Sequence, residues 1–144
     1  MQKVIFVLID IEEQITYNFF NDGKVELAFS GEFRQLLKEM NMRLPRFGFR
    51  FALKDGFEDM TYFGKGPVET YCDRHRGARF GMFETSVTDN FVHYIRPIEN
   101  GSHFACVYGK VSDGKNAIEF APIGDSFCFN ASHFTPKMLE ETKH

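Results

Sequence analysis

Tryptophan is missing from the 144 residues, and cysteine occurs only 3 times. Long apolar runs are missing too. The N-terminal run from Gln2 to Ile11 is broken by Lys3 and Asp10. It is too short for a bilayer-spanning helix of about 20 residues. It also lacks the charge–apolar–small order of a secretory leader; its Val and Ile content predicts a buried strand instead. Neither sign of charge dominates, since 17 Lys and Arg against 20 Asp and Glu leave a net charge of -3. No strong field therefore draws the chain to nucleic acid or to an anionic membrane. Cys72, Cys106 and Cys128 are odd in number and widely spaced, with no C-x-x-C. That predicts three thiols in a reducing, cytoplasmic compartment, the alternative being one disulfide with one thiol left over. The 5 His include no H-E-x-x-H and none at zinc-finger spacing from a Cys, so no structural metal is expected.

What the chain does have is phenylalanine, 18 residues of it, in a sequence that is 43% hydrophobic. Phe suits strands because its ring packs well on a pleated surface. Short alternating runs separated by turn residues fill most of the length. Ile15, Tyr17 and Phe19 alternate with polar neighbours, Asn21-Asp22-Gly23 follows, and Val25, Leu27 and Phe29 resume the alternation. That is a hairpin signature, because Asp-Gly tolerates positive φ. Phe33 to Met42 fits either a helical face or a strand, and the surrounding strands favour a strand. Arg46 to Leu53, with Phe47, Phe49, Phe51 and Leu53 in phase, gives the cleanest strand pattern, and Asp55-Gly56 predicts a hairpin back through Phe57 to Phe63. Gly64-Lys65-Gly66-Pro67 predicts a strand-ending turn, followed by an irregular loop to Gly77. Further strands are predicted over Arg79–Val87, His103–Val111, Asn116–Ala121 and Ser126–Ala131. Thr135 and Pro136 open one terminal helix as N-cap and first residue. With no strand–helix alternation, a parallel sheet is disfavoured, and a single mostly antiparallel β domain over residues 1–144 is expected.

The chemistry is less explicit. Gly64-Lys65-Gly66 lacks the spacing of a phosphate loop. Ser132-His133 lacks a nucleophile elbow. Asp73-Arg74-His75-Arg76 is a charged loop cluster that either presents directional hydrogen bonds to a sugar or pins the loop by an internal ion pair. Glu99-Asn100-Gly101 with His103 is a second polar group, or simply a turn. A glycosidase needs two carboxylates across the scissile bond, and the spacing of the 20 acidic residues singles out no pair.

Four stretches resemble a known family. Leu44-Pro45-Arg46-Phe47-Gly48 is similar to the L-P-R-x-G of the C-terminal domain of family 2 β-galactosidases. Gly64-Lys65-Gly66-Pro67, Glu69, Tyr71, Asp73 and Arg74 follow its G-x-G-P-x-E-x-Y-x-D-R pattern. Tyr94, Pro97, Glu99, Asn100 and Gly101 follow its Y-x-x-P-x-E-N-G, and Phe127 to Ser132 with Leu139, Glu140, Thr142 and His144 resembles its closing segment. The resemblance implies a galactose mutarotase-like antiparallel β-supersandwich, incomplete here, with a short C-terminal helix. It implies that this piece is inactive alone. The retaining chemistry on β-D-galactosides such as lactose would belong to a TIM barrel in the remainder of the enzyme or in a large subunit. The stacking Trp of the family has no counterpart, since the chain has none. No cofactor is implied for this chain, and magnesium and sodium are implied for the parent enzyme. Glu69, Asp73, Arg74, Glu99, Asn100 and His103 are the expected substrate-contacting residues, and self-association through exposed apolar surface is expected of the fragment. A mutarotase-like epimerase, using His103 or His93 with Glu99 or Glu69, and a free carbohydrate-binding module are the competing readings.

Overall fold

The computed structural model describes residues 11–33 and 47–142. The strand expected over Lys3–Ile9 and the segment after Phe33 lie outside the described residues. Contacts divide the chain into two units at Arg50/Phe51.

The first unit holds an antiparallel hairpin of β1 (Ile11–Phe19) and β2 (Val25–Phe33). Its register sets Ile15 opposite Phe29, Tyr17 opposite Leu27 and Phe19 opposite Val25, so the two alternating patterns share one face. The turn falls where Asp22-Gly23 predicts it. Gly23 sits at φ +86°, and the Asp22 carboxylate accepts from the Lys24 N–H at 3.0 Å. Tyr17 and Phe19 are 50% and 77% exposed on this face, while Ile15, Leu27 and Phe29 are half-buried and the Phe29 ring meets Phe47 at 4.3 Å. A two-stranded hairpin is marginal in water by itself.

The second unit contains β3 (Asp59–Gly66), β4 (Arg79–Ser86), β5 (His103–Cys106), β6 (Tyr108–Ser112), β7 (Ala117–Phe120) and β8 (Phe127–Phe129), then α1 (Pro136–Glu141). Four strands form an antiparallel sheet in the order β4-β3-β6-β7, and β5 pairs with β8 in a second ladder. The mostly antiparallel β class with one short C-terminal helix is what the structure holds, in a two-layer, sandwich-like arrangement. Strand β3 alternates strictly, burying Met60, Tyr62, Gly64 and Gly66. Met60, Tyr62 and Val111 from the large sheet meet Cys106 and Phe129 from the small ladder, and Val87 closes the core. The Phe129 ring lies over Gly109, where an added Cβ would come within 2.9 Å of it. At the end of the chain Thr135 caps α1, its hydroxyl accepting from the Met138 N–H at 3.2 Å, with Pro136 in the first turn.

Three sequence expectations are corrected. Residues 47–53 form no strand, and their alternating side chains range from 36% exposed at Leu53 to 54% at Phe47. Alternation marks a face to be buried but does not by itself make a ladder; here Phe47 packs on Phe29 and Phe51 on Phe120 through their rings. Strand β3 continues through Gly64 and Gly66, ending only at Pro67, because both glycines sit against Cys106 and Tyr62 with no room for a Cβ. The single strand expected over His103–Val111 is two strands. Ala105 adopts φ +56°, and the β5–β8 register shifts between His103 and Cys106. This bulge resets the period-2 phase, so His103 and Cys106, three apart, both point inward. The Val107 N–H then donates to the Phe63 carbonyl at 2.8 Å and hands the chain to the large sheet.

Candidate functional site

Beyond β3 the chain leaves the sheet at Pro67, and Thr70 anchors the departing loop. The Thr70 N–H donates to the Ser102 carbonyl at 2.7 Å, and its hydroxyl donates to the Lys65 carbonyl and accepts from the Phe104 N–H. Tyr71 and Arg74 close a tight turn by reciprocal backbone bonds of 3.1 Å. The turn carries Cys72 and Asp73 outward and lays the Arg74 guanidinium 5.1 Å from the Tyr71 ring.

Glu69 sits at the centre of this loop. Its Oε1 accepts from the Tyr94 hydroxyl and from Arg74 Nη2. Its Oε2 accepts from the Gly101 N–H at 2.8 Å and from the Tyr71 hydroxyl at 3.3 Å. The Glu69 side chain is 9% exposed, the Arg74 side chain 58%. Burial alone would raise the carboxyl. The Tyr94 and Gly101 hydrogen bonds and the Arg74 charge outweigh it, and Glu69 is held below the usual carboxylate range. The buried Tyr71 phenol beside this carboxylate is pushed up to about 12, first by desolvation and then by Glu69.

Behind Glu69 the network runs inward. Gly101, at φ +74°, gives its carbonyl to the Asn90 side-chain amide at 2.8 Å. Because that amide nitrogen donates, Asn90 Oδ1 faces His103 Nε2 at 2.7 Å as an acceptor, so the ring proton sits on Nε2. His103 is 1% exposed and stacks on Tyr62 at a centroid distance of 3.8 Å. Desolvation pushes it down to about 4, so the imidazole is neutral at pH 7. Its Nδ1 has no hydrogen-bond partner among the described residues. Asn100 is buried and structural in its contacts. It accepts from the Val92 N–H at 2.9 Å, donates to the Ile98 carbonyl at 2.9 Å, and its own carbonyl takes Asn130 Nδ2 at 2.8 Å.

The structure thus brings Glu69, Arg74, Asn100 and His103 into one continuous network. Asp73 stays exposed and makes none of these contacts among the described residues. Glu99 is partly exposed and lies near enough to Tyr71 to raise its phenol. His103 and Glu69 do not pair with each other, because His103 bonds Asn90 and Glu69 bonds Tyr94, Arg74, Tyr71 and Gly101. Tyr94, Tyr71 and Thr70 are essential to the cluster and carry no distinguishing signal beyond their motif positions. Asn90 reads in sequence as an ordinary turn residue. Elsewhere, none of the three cysteines is joined in a disulfide. Among the described residues no helix is long and apolar enough to cross a membrane, and no three His, Cys, Asp or Glu side chains converge on one point.

The description "Beta galactosidase small chain" belongs to a family model that matches residues 2–144. The chain belongs to the β-galactosidase small-chain family. It is 36% identical over 130 residues to a β-galactosidase of Actinobacillus pleuropneumoniae, covering 90% of this chain and 12% of that protein. To the β-galactosidase of Staphylococcus xylosus it is 40% identical over 101 residues, 70% of this chain and 10% of that one. To that of Streptococcus thermophilus it is 30% identical over 138 residues, 95% and 13%. The chain therefore spans a small part of the relatives it matches. Glu69, Tyr71, Arg74, Tyr94 and Gly101 of the cluster all lie within the matched residues.

Proposed function

We propose that this chain is the non-catalytic accessory part of a β-galactosidase, which walls the active-site pocket and contacts the catalytic remainder of the enzyme. The observation that carries the reading is the family match over residues 2–144 combined with a 12% share of a whole β-galactosidase. The reaction is hydrolysis of terminal β-D-galactosides such as lactose, in the cytoplasm. Its acid/base and nucleophile lie outside this chain, as do the groups that hold magnesium and sodium. A retaining glycosidase sets its two carboxyl groups about 5–5.5 Å apart around an open bond. The Glu69 carboxylate has both oxygens occupied by the protein's own donors, which suits a supporting role. In this reading Asp73, Arg74 and Glu99 contact the galactoside, while Glu69, Asn100 and His103 fix the loops that carry them. Open apolar side chains, among them Phe80 and Met82 on the outer face of the large sheet, suit docking and lead the isolated chain to self-associate.

The test is hydrolysis of a chromogenic β-galactoside by the purified chain, alone and mixed with the complementary remainder of a β-galactosidase. The expected result is no turnover alone and turnover on mixing. Turnover by the chain alone sinks the proposal, because it requires a catalytic carboxylate pair within these residues.

A further inference from the structure

The loop after β3 (residues 67–78) and the loop before β5 (residues 91–102) share no strand ladder with each other. One backbone bond joins them at the sheet end, Thr70 N–H to the Ser102 carbonyl at 2.7 Å, and further out they meet through one carboxylate. Two of Glu69's donors, Tyr71 and Arg74, come from its own loop, and two, Tyr94 and the Gly101 N–H, come from the other. Arg74 Nη2 also reaches the Tyr94 hydroxyl at 3.2 Å, so the cation, the phenol and the carboxylate form a closed triangle. On its inner side the same group is tied to the core through Gly101, Asn90 and His103. Charge-assisted hydrogen bonds to a shielded carboxylate are the strong ones, because solvent does not compete for the acceptor.

We propose that Glu69 is a positioning residue that locks these two loops into one rigid plate, and that the substrate affinity of the assembled β-galactosidase depends on the lock. The second half rests on the accessory-part reading; the first half does not. Glutamine at this position replaces one acceptor by a donor facing donors, so the clasp loses charge and geometry together. Glu69→Gln opens both loops while leaving Met60, Tyr62, Cys106 and Phe129 packed. Tyr94→Phe removes one donor across the gap and opens them less.

Limited digestion of the full chain reads the lock directly, with trypsin cutting after Arg74 and Arg76 in the first loop and chymotrypsin after residue 94 in the second. Cleavage of a locally opened segment follows the population of the open form. Losing charge-assisted bonds of this kind raises that population about tenfold or more. The expected result is at least a tenfold faster cut after Arg74, Arg76 and Tyr94 in Glu69→Gln, a smaller rise at the same positions in Tyr94→Phe, and unchanged cutting after Lys110 and Lys115. Unchanged rates in both loops overturn the lock, and so does a parallel rise at every site in both variants, which signals global unfolding. In the assembled enzyme at saturating chain, Glu69→Gln is expected to raise KM several-fold with kcat within about twofold. A loss that excess chain restores means weakened assembly and overturns the link to affinity. If the wild-type chain restores no turnover to the remainder, the accessory-part reading fails and with it the link to affinity, while the digestion still decides the lock.

Discussion

Replacing His103 by glutamine is expected to flatten the dependence of folding stability on pH between about 7 and 4. The imidazole is 1% exposed, stacked on Tyr62, and bonded through Nε2 to Asn90. Burial drives it from an ordinary value of 6.5 to about 4, against the opposing influence of the Lys65 carbonyl and the Glu69 charge. In the unfolded chain the ring is solvated and takes its proton near 6.5. As pH falls below that value the unfolded state binds a proton that the folded state refuses, so the equilibrium moves toward unfolding. The stability associated with the neutral ring is complete above pH 6.5 and is lost as pH falls through the folded value near 4. The gap spans roughly two and a half pH units, and at about 1.36 kcal/mol for each it amounts to about 3 kcal/mol. That is a large fraction of the total for an average domain, about 5–15 kcal/mol.

Urea unfolding midpoints measured at intervals from pH 7.5 to 4 give the comparison. Glutamine does not titrate, and its amide can still reach Asn90, so His103→Gln lowers the baseline while removing the slope. The wild-type curve should fall more steeply than the variant's by about 3 kcal/mol across the window. Glu69 adds acid sensitivity of the same sign in both proteins, because its folded carboxyl is held low, and it cancels in the difference. Parallel curves would refute the reasoning, since they require a His103 that titrates alike in folded and unfolded chains.

Gly64→Ala places a Cβ 3.0 Å from the Cys106 Cα and 3.2 Å from its Cβ, so the backbone of β5 has to give; a loss of about 1–3 kcal/mol in thermal or urea unfolding is expected, not relieved by adding Cys106→Ala. Gly48→Ala, with nothing within 4 Å of the new atom, is the control and should stay within about 0.5 kcal/mol. Ala105→Gly removes the cost of an L side chain at φ +56°. That cost is about 1–2 kcal/mol against about 0.4–1 kcal/mol of added chain entropy, so a small net stabilisation is expected and Ala105→Val should destabilise clearly. A stabilising or neutral Ala105→Val contradicts the assigned bulge.

Local chemistry was legible where a residue's own neighbours decide its conformation. The Asp22-Gly23 turn, the Thr135 cap and the alternation of β3 all follow from short-range rules, and Gly23 sits at φ +86° between β1 and β2 as expected. The break at Ala105 was not legible, because alanine carries no signal for left-handed backbone; the conformation is imposed by a chain that must bury His103 in one layer and join another at Val107. The Glu69 cluster was legible only through its motif. Its members are distant in sequence, and nothing local distinguishes Tyr94 from any other tyrosine. Asn90 is harder still, since its role comes from meeting Gly101 and His103 across the fold.

The failure over residues 47–53 has a different origin. Phe47, Phe49, Phe51 and Leu53 keep a strict period of two, a pattern that has no use in a solvated coil. The outer face of the large sheet behaves likewise. Phe63 pairs with Met82 and Tyr108 across the ladders and its ring lies 4.8 Å from Phe80, yet Phe80 and Met82 remain more than half exposed. The β1–β2 hairpin leaves a third apolar face open at Tyr17 and Phe19. Single exposed apolar residues are ordinary on a protein surface, but three periodic sets are not. Periodicity is written into a sequence by the surface it meets. The sheet face at Phe80 and Met82 and the hairpin face at Tyr17 and Phe19 keep the strand period while staying exposed, whereas Phe47 and Phe51 use theirs to meet Phe29 and Phe120 at ring-centroid distances of 4.3 and 5.7 Å.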